Sequence, residues 1–238
     1  MCSLLAAPFL ALMVGCAIAV PPGASDDDVA IDAGTVDART VDARTVDAPL
    51  DAPAMQIITL NQNGSTSVQA EASVACTETA TGVTRTNSYY RVFRLSDFGI
   101  TRPFTPNLVS FGVELATAGA GGAQTVQVRL HTLSGALLQQ NLVNVAGNNV
   151  NVPNSGIGLI NVPIAPAPVI QPNATLVAEV FVPDAMLAGH KFFIGANNGT
   201  ETATGYLRAP ECGIAEPTTY AAIGFPLVRL ILTVTGTY

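Results

Sequence analysis

Residues 124–133 read QTVQVRLHTL. Val126, Val128 and Leu130 alternate with Gln127, Arg129 and His131, and in an extended chain successive side chains point to opposite faces. One face of the segment is therefore apolar and the other polar, the pattern of a half-buried strand. His131 falls on the polar face, where an exposed sheet residue is expected. Residues 226–236, PLVRLILTVTG, follow the same rule, with Val228, Leu230, Leu232 and Val234 expected inward and Arg229 and Thr233 outward.

Working outward from these two, further short apolar runs recur between clusters of Gly, Pro and Asn. They are Ser67–Ala75, Ser88–Leu95, Asn107–Ala116, Asn141–Val152, Gly158–Ala165, Ala174–Val182, Lys191–Ala196 and Gly205–Arg208. Roughly ten short strands with no long helical pattern predict an all-β domain over residues 55–238, an antiparallel β-sandwich of jelly-roll type. Pro163, Pro166, Pro168 and Pro172 in NVPIAPAPVIQP mark an extended connection at a sheet edge, where missing N–H donors cost little.

Composition bounds the function. The chain is 49% hydrophobic and only 11% charged, against roughly a quarter charged in an ordinary soluble domain. So much apolar surface excludes disorder throughout. A net charge of −7 has the wrong sign for a nucleic-acid partner. Beyond the first twenty residues, no apolar run reaches the ~18–20 residues of a membrane-spanning helix, which excludes a polytopic protein. The charge is also unevenly placed. Residues 21–54 hold eight Asp and two Arg, whereas residues 55–238 hold nine acids and eight bases. The acidity belongs to the first of these segments, and the sandwich is close to neutral.

Residues 1–20, MCSLLAAPFLALMVGCAIAV, are apolar and carry no charged side chain. The run before Cys16 is too short to cross a bilayer and suits the core of a secretory signal. Met13-Val14-Gly15-Cys16 resembles the lipobox of bacterial lipoproteins, with Met13 where Leu is usual. The resemblance implies cleavage before Cys16, lipidation of its thiol and, with Ala17 rather than Asp following, residence in the outer membrane or at the cell surface. Several acyl chains at ~0.8 kcal/mol per buried methylene hold far more firmly than one. The alternative is cleavage after Ala17-Ile18-Ala19, a small-x-small site that would release a soluble secreted protein.

After the signal, expected over 1–16, the composition changes. Asp27, Asp32, Asp37, Asp42 and Asp47 recur every five residues, most visibly in VDART-VDART-VDAPL at 36–50. A period of five matches neither helix nor strand, and charge runs are usually solvated. Residues 17–54 are accordingly expected to be a disordered tether with an r.m.s. span of ~30–37 Å. Asp-Ala repeats behind a lipobox also resemble the spacers of bacterial surface lipoproteins. The glycine-rich turns of calcium-binding repeats are absent from it.

The segments YYRVFRLSDFGI (89–100), SFGVEL (110–115), VRLHTLSGA (128–136), LVAEVFVPD (176–184), FFIGANN (192–198), YLRAPECGIAEPT (206–218) and AAIGFP (221–226) resemble a bacterial extracellular β-sandwich domain found in secreted and surface proteins. The resemblance implies an extracellular accessory module and no particular reaction.

Cys2 lies in the signal and Cys16 is the lipidation candidate, leaving Cys76 and Cys212. In an exported protein such a pair is expected to form one disulfide; the alternative is two separate buried thiols. Neither CxxC spacing nor a nearby His marks a zinc site.

Little supports catalysis. His131 and His190 are the only histidines, no GxSxG elbow occurs, and no HExxH, Walker loop or dinucleotide fingerprint is present. His190, at a turn before a strand, reads like His131 as an ordinary surface residue. Asp97, Glu114, Glu179, Asp184, Glu201, Glu211 and Glu216 are candidate carboxyls for a glycosidase, but no motif selects a pair. Asp184, or Asn197 and Asn198 in GANNGT, could give oxygen to calcium, although these residues also favour turns by themselves. For sugar stacking the candidates are Tyr89, Tyr90, Tyr206 and Tyr220. Tyr89 and Tyr90 are adjacent in a strand, so one is expected in the core and the other on the surface.

The expected function is thus a lipid-anchored, non-catalytic envelope protein, with no cofactor, whose sandwich binds carbohydrate or protein at the bacterial surface. A structural envelope component that self-associates is the second reading, and a hydrolase the third.

Overall fold

A computed structural model describes residues 54–120 and 122–238. The signal, Cys16 and the tether up to residue 53 lie outside the described residues. The strands are β1 (Ile57–Leu60), β2 (Asn87–Arg94), β3 (Thr105–Thr117), β4 (Gln124–Leu133), β5 (Leu142–Val152), β6 (Gly158–Pro163), β7 (Thr175–Val182), β8 (Lys191–Ile194), β9 (Ala196–Asn197), β10 (Tyr206–Ala209), β11 (Ile214–Thr219), β12 (Arg229–Leu230) and β13 (Leu232–Thr237).

Two antiparallel sheets form the sandwich. One runs β1-β13-β3-β6, with β8 pairing the far end of β3, and the other runs β11-β10-β2-β7-β4-β5. Strands 1-13-3-6 facing 2-7-4-5 is the order of a jelly roll, in which successive segments cross between the sheets. The β10–β11 hairpin extends the second sheet beyond β2, and β9 with β12 makes a separate ribbon.

Alternation builds the core as expected. Val126, Val128 and Leu130 of β4 pack inward with Tyr89 and Phe93 of β2, Phe111 of β3, Val180 of β7 and Phe192 of β8, all fully buried. Each such side chain contributes about 1.5–3 kcal/mol relative to exposure. Val228, Leu230, Leu232 and Val234 also turn inward, but the segment is not one strand. It breaks at Ile231, whose N–H donates to Gly195 O (3.0 Å) and whose carbonyl accepts from Gly112 N (3.0 Å). Here β3 changes partner from β13 to β8, and the backbones meet without side chains between them. A Cβ on Gly195 would lie 2.5 Å from the Gly112 Cα. Thr233, expected outward and paired with Ser110 of β3, is buried.

Residues 67–75 are not a strand. Their backbone donors are met by the Glu114 carboxylate and by the carbonyl of Ala196 in β9 rather than by a continuous sheet ladder, as described below. The strands absent from the sequence reading, β1 and β11, both lie at sheet edges.

Arg91 occupies a core-facing position of β2 and is fully buried. Such a charge is tolerated only when paired and hydrogen-bonded. Its Nη2 donates to Leu230 O (2.6 Å) and Asn63 Oδ1, its Nη1 donates to Ala203 O, and it pairs with Glu201 at 3.0 Å. Burial lowers its pKa and Glu201 opposes that shift. One side chain thereby ties the segments around residues 63, 203 and 230 together.

Cys76 and Cys212 form the expected disulfide, with Cα atoms 5.9 Å apart across a sequence separation of 136. It joins the long β1–β2 connection to the β10–β11 turn. By chain entropy a loop of that length is stabilised by up to about 5 kcal/mol.

Candidate ligand-binding site

Glu114 of β3 organises one wall of a groove formed by the loops. Its carboxylate accepts the backbone N–H of Glu71 (2.8 Å) and of Ser73 (3.0 Å), and the Ser73 hydroxyl donates to it as well. Gln69 N donates to Ala196 O at 2.9 Å. Held this way, Glu71 sits at φ 61°, in the left-handed region, a conformation that costs a residue with a side chain of order 1–3 kcal/mol. The Glu71 carboxylate has no hydrogen-bonding or ionic partner among the described residues, and it lines the groove.

The opposite wall is the turn after buried Tyr220. Phe225 N donates to Tyr220 O (2.8 Å), and Gly224 takes φ 92°, which suits glycine. The turn leaves Phe225 45% exposed and Leu227 66% exposed. At one end stands Asn198, whose N–H donates to Gln69 Oε1 at 2.8 Å. The open groove has a volume of about 600 Å³, within the ordinary range for small-ligand sites. Val74 and Phe225 also line a second, mainly apolar hollow of about 450 Å³ beside Ile214, Ile223 and the disulfide.

A second polar cluster lies on the outer face of the β2-β7-β4-β5 sheet. Glu179 of β7 is buried there, with His131 Nε2 at 2.8 Å and Arg129 Nη1 at 3.5 Å. Burial raises its pKa. The hydrogen bond from His131 and the charge of Arg129 outweigh that and hold it below the usual carboxylate range. His131 is therefore a buried partner of Glu179, not the exposed sheet residue expected. Alternation gave its face correctly, but the 134–141 loop lies nearby, with Gln139 Nε2 donating to Tyr90 Oη at 2.7 Å. His190 is buried too, and its Nδ1 accepts from Gly119 N at 2.7 Å.

The tyrosines named as candidates for sugar stacking do not form a platform. Tyr89 and Tyr90 point to opposite faces, yet both are fully buried, as is Tyr220; Tyr206 is half-buried. Burial, and the negative charge of Glu179, push the Tyr90 phenol well above its usual pKa. The exposed ring beside a cleft is Phe225. Its signal in the sequence was a phenylalanine between Gly224 and Pro226, outside any alternating run. Glu71 had no such signal, since nothing in its neighbours announces a left-handed glutamate.

Most candidate carboxyls are committed elsewhere. Asp184 pairs with Arg85 (2.7 Å) and caps Met186 N (2.9 Å); Glu201 binds Arg91 and Arg229; Glu211 accepts from Thr86 (2.9 Å); Glu216 accepts from Gln139 N (2.9 Å). Asp97 is exposed in a short 3-10 turn. Asn197 is buried, its amide donating to Ser65 O (2.9 Å) and Ser67 O (3.2 Å) and its Oδ1 accepting from Gly199 N (3.1 Å). These are turn-forming roles. Among the described residues no three His, Cys, Asp or Glu side chains gather as a metal site.

No family model matches the chain, and no curated protein matches it. Among solved structures it is similar to the cysteine protease and lectin-like domains of Cwp84, a surface layer associated protein of Clostridium difficile. The identity is 12% and the TM-score 0.47, covering 65% of this chain and 32% of that one. A second similar structure is the clostridial cysteine protease Cwp84 after propeptide cleavage, at 11% identity and TM-score 0.46, covering 65% and 36%. The chain thus spans about a third of the length of these structures.

Proposed function

We propose that this chain is a lipid-anchored envelope protein whose sandwich recognises carbohydrate at the bacterial surface through the groove walled by Phe225. The observation that carries the reading is an exposed aromatic ring beside a cleft that also holds unpartnered Glu71 and the Gln69 and Asn198 side chains. A pyranose offers an apolar face to stack on a ring and hydroxyls to donate to a carboxylate. Phe225 and Leu227 supply the first contact and Glu71 the second. Binding in this reading is non-catalytic, since both histidines are buried and neither is hydrogen-bonded to a serine or cysteine among the described residues. Lipidation at Cys16 and the Asp-rich spacer complete it, holding the module on the membrane at the end of a solvated chain.

The test is a glycan array probed with the intact chain, followed by titration of each hit. Phe225→Ala should weaken a bound glycan about tenfold or more, as loss of a central aromatic contact does, with an unchanged unfolding midpoint. A folded chain that binds no glycan, or binds equally well without the ring, overturns the assignment.

A further inference from the structure

Arg129 of β4 is held from three sides. Its Nε (3.1 Å) and Nη2 both donate to Gln127 Oε1, its Nη1 lies 3.5 Å from Glu179, and the guanidinium carbon sits 4.1 Å from the centre of the Phe181 ring, so the edge between Nη1 and Nη2 is the one still open. The side chain nevertheless remains 32% exposed. A guanidinium carries five N–H donors in a planar fork, so this fixed cation keeps donors unspent. Directly across the β4–β5 pair stands Gly147, which has no side chain to cover it. A polar cleft of about 350 Å³ opens there, lined by Gln127, Arg129, Asn144, Asn148 and Asn149.

The charges are layered. Glu179 lies beneath and is 3% exposed, shared between His131 and Arg129. Tyr90 is buried, and β5 contributes no ionisable group. A solute approaching from solvent meets the cation and a rim of neutral amides. The Asn144 and Asn149 side chains are exposed and have no hydrogen-bonding partner among the described residues. A carboxylate would take the free edge of the guanidinium in a charge-assisted pair, while the amides offer both donors and acceptors to neighbouring hydroxyls.

We infer that this β4–β5 face is a second ligand site, separate from the Phe225 groove, and that it takes a carboxylate-bearing saccharide, a uronate. Arg129 supplies the charge recognition, already oriented by Gln127, Glu179 and Phe181. The asparagines read the hydroxyls.

The experiment titrates the intact chain with oligogalacturonate, free glucuronate and a neutral oligosaccharide of matching length. The acidic oligomer should bind and the neutral one should not, and added salt should weaken the complex. Tighter binding of the oligomer than of free glucuronate identifies a polymer as the source, and equal binding identifies the free acid; either result supports the carboxylate site. Arg129→Gln should cost about tenfold or more in affinity. Because that variant also disturbs buried Glu179, Asn149→Asp is the second probe. It places a repelling charge on the exposed rim and should lower acidic-oligomer affinity severalfold with no change in melting. Phe225→Ala should leave this binding intact, so failure here and failure of the groove assignment are separable. Equal affinity for neutral and acidic oligomers, no acidic binding at millimolar concentration, indifference to Asn149→Asp, or loss on Phe225→Ala would each overturn the inference.

Discussion

Glu114 reaches out of β3 and accepts the backbone N–H of Glu71 at 2.8 Å, forty-three residues earlier in the chain. Strand geometry thereby fixes a segment that has no strand of its own, because one carboxylate stands in for the carbonyls of a sheet neighbour. Glu114→Gln replaces one acceptor oxygen by a donor, which faces the same N–H groups. We expect a loss of about 1–2 kcal/mol, faster amide exchange confined to residues 69–75, and weaker glycan binding in the groove. Exchange rates unchanged in that segment would contradict the role.

The disulfide is predicted to dominate stability under oxidising conditions. Cys212 is exposed whereas Cys76 is buried. Paired Cys76→Ser and Cys212→Ser replacement should cost up to about 5 kcal/mol by chain entropy, read as a drop in the urea midpoint. The wild-type chain in reductant should fall to the same midpoint. Identical midpoints with and without reductant would show that the cross-link adds nothing.

Glu179 makes stability fall in acid. Its folded pKa lies below the value of about 4.3 for an unperturbed glutamate. The stabilisation is therefore complete above about pH 4.3 and lost as the pH drops through the folded value. Urea midpoints measured from neutral pH into acid should show a shallower decline for Glu179→Gln than for wild type, with the two curves converging at low pH. Parallel curves would mean that other carboxyls govern the transition.

Lipidation at Cys16 is checked by feeding cells labelled palmitate. Wild type should carry the label and sediment with membranes, and Cys16→Ala should do neither. Label retained by Cys16→Ala would place the anchor at another residue, whereas unlabelled wild type released from the membrane would favour the small-x-small cleavage site.

Much of the architecture was legible because it rests on period-two alternation. Residues 124–133 declared their inward and outward faces, and every inward residue of that run is in the core. The run at 67–75 showed the limit of the method. Its alternation is real, but its donors are met by the Glu114 carboxylate and a single carbonyl, Ala196 O, rather than by a strand-to-strand ladder. Likewise, a break at Ile231 cannot be seen in PLVRLILTVTG, since it follows from Gly112 and Gly195 meeting across the sheet. Adjacent tyrosines at 89 and 90 were assigned to opposite faces correctly. Burial of the outer one depends on surroundings that include Gln139, forty-nine residues away in sequence.

By itself the sequence determined the all-β class and the confinement of the acidity to residues 21–54, and it named Cys76 and Cys212 as a candidate pair, because alternation, cysteine count and charge placement are local or compositional properties. Only the tertiary structure decided which polar groups are hidden and which are offered to a ligand. His131 and Glu179 became a buried pair, Arg91 a buried charge, and Phe225, Glu71 and Arg129 the side chains left facing open clefts. Exposure is set by what the rest of the chain lays over a face, and those partners lie tens of residues away.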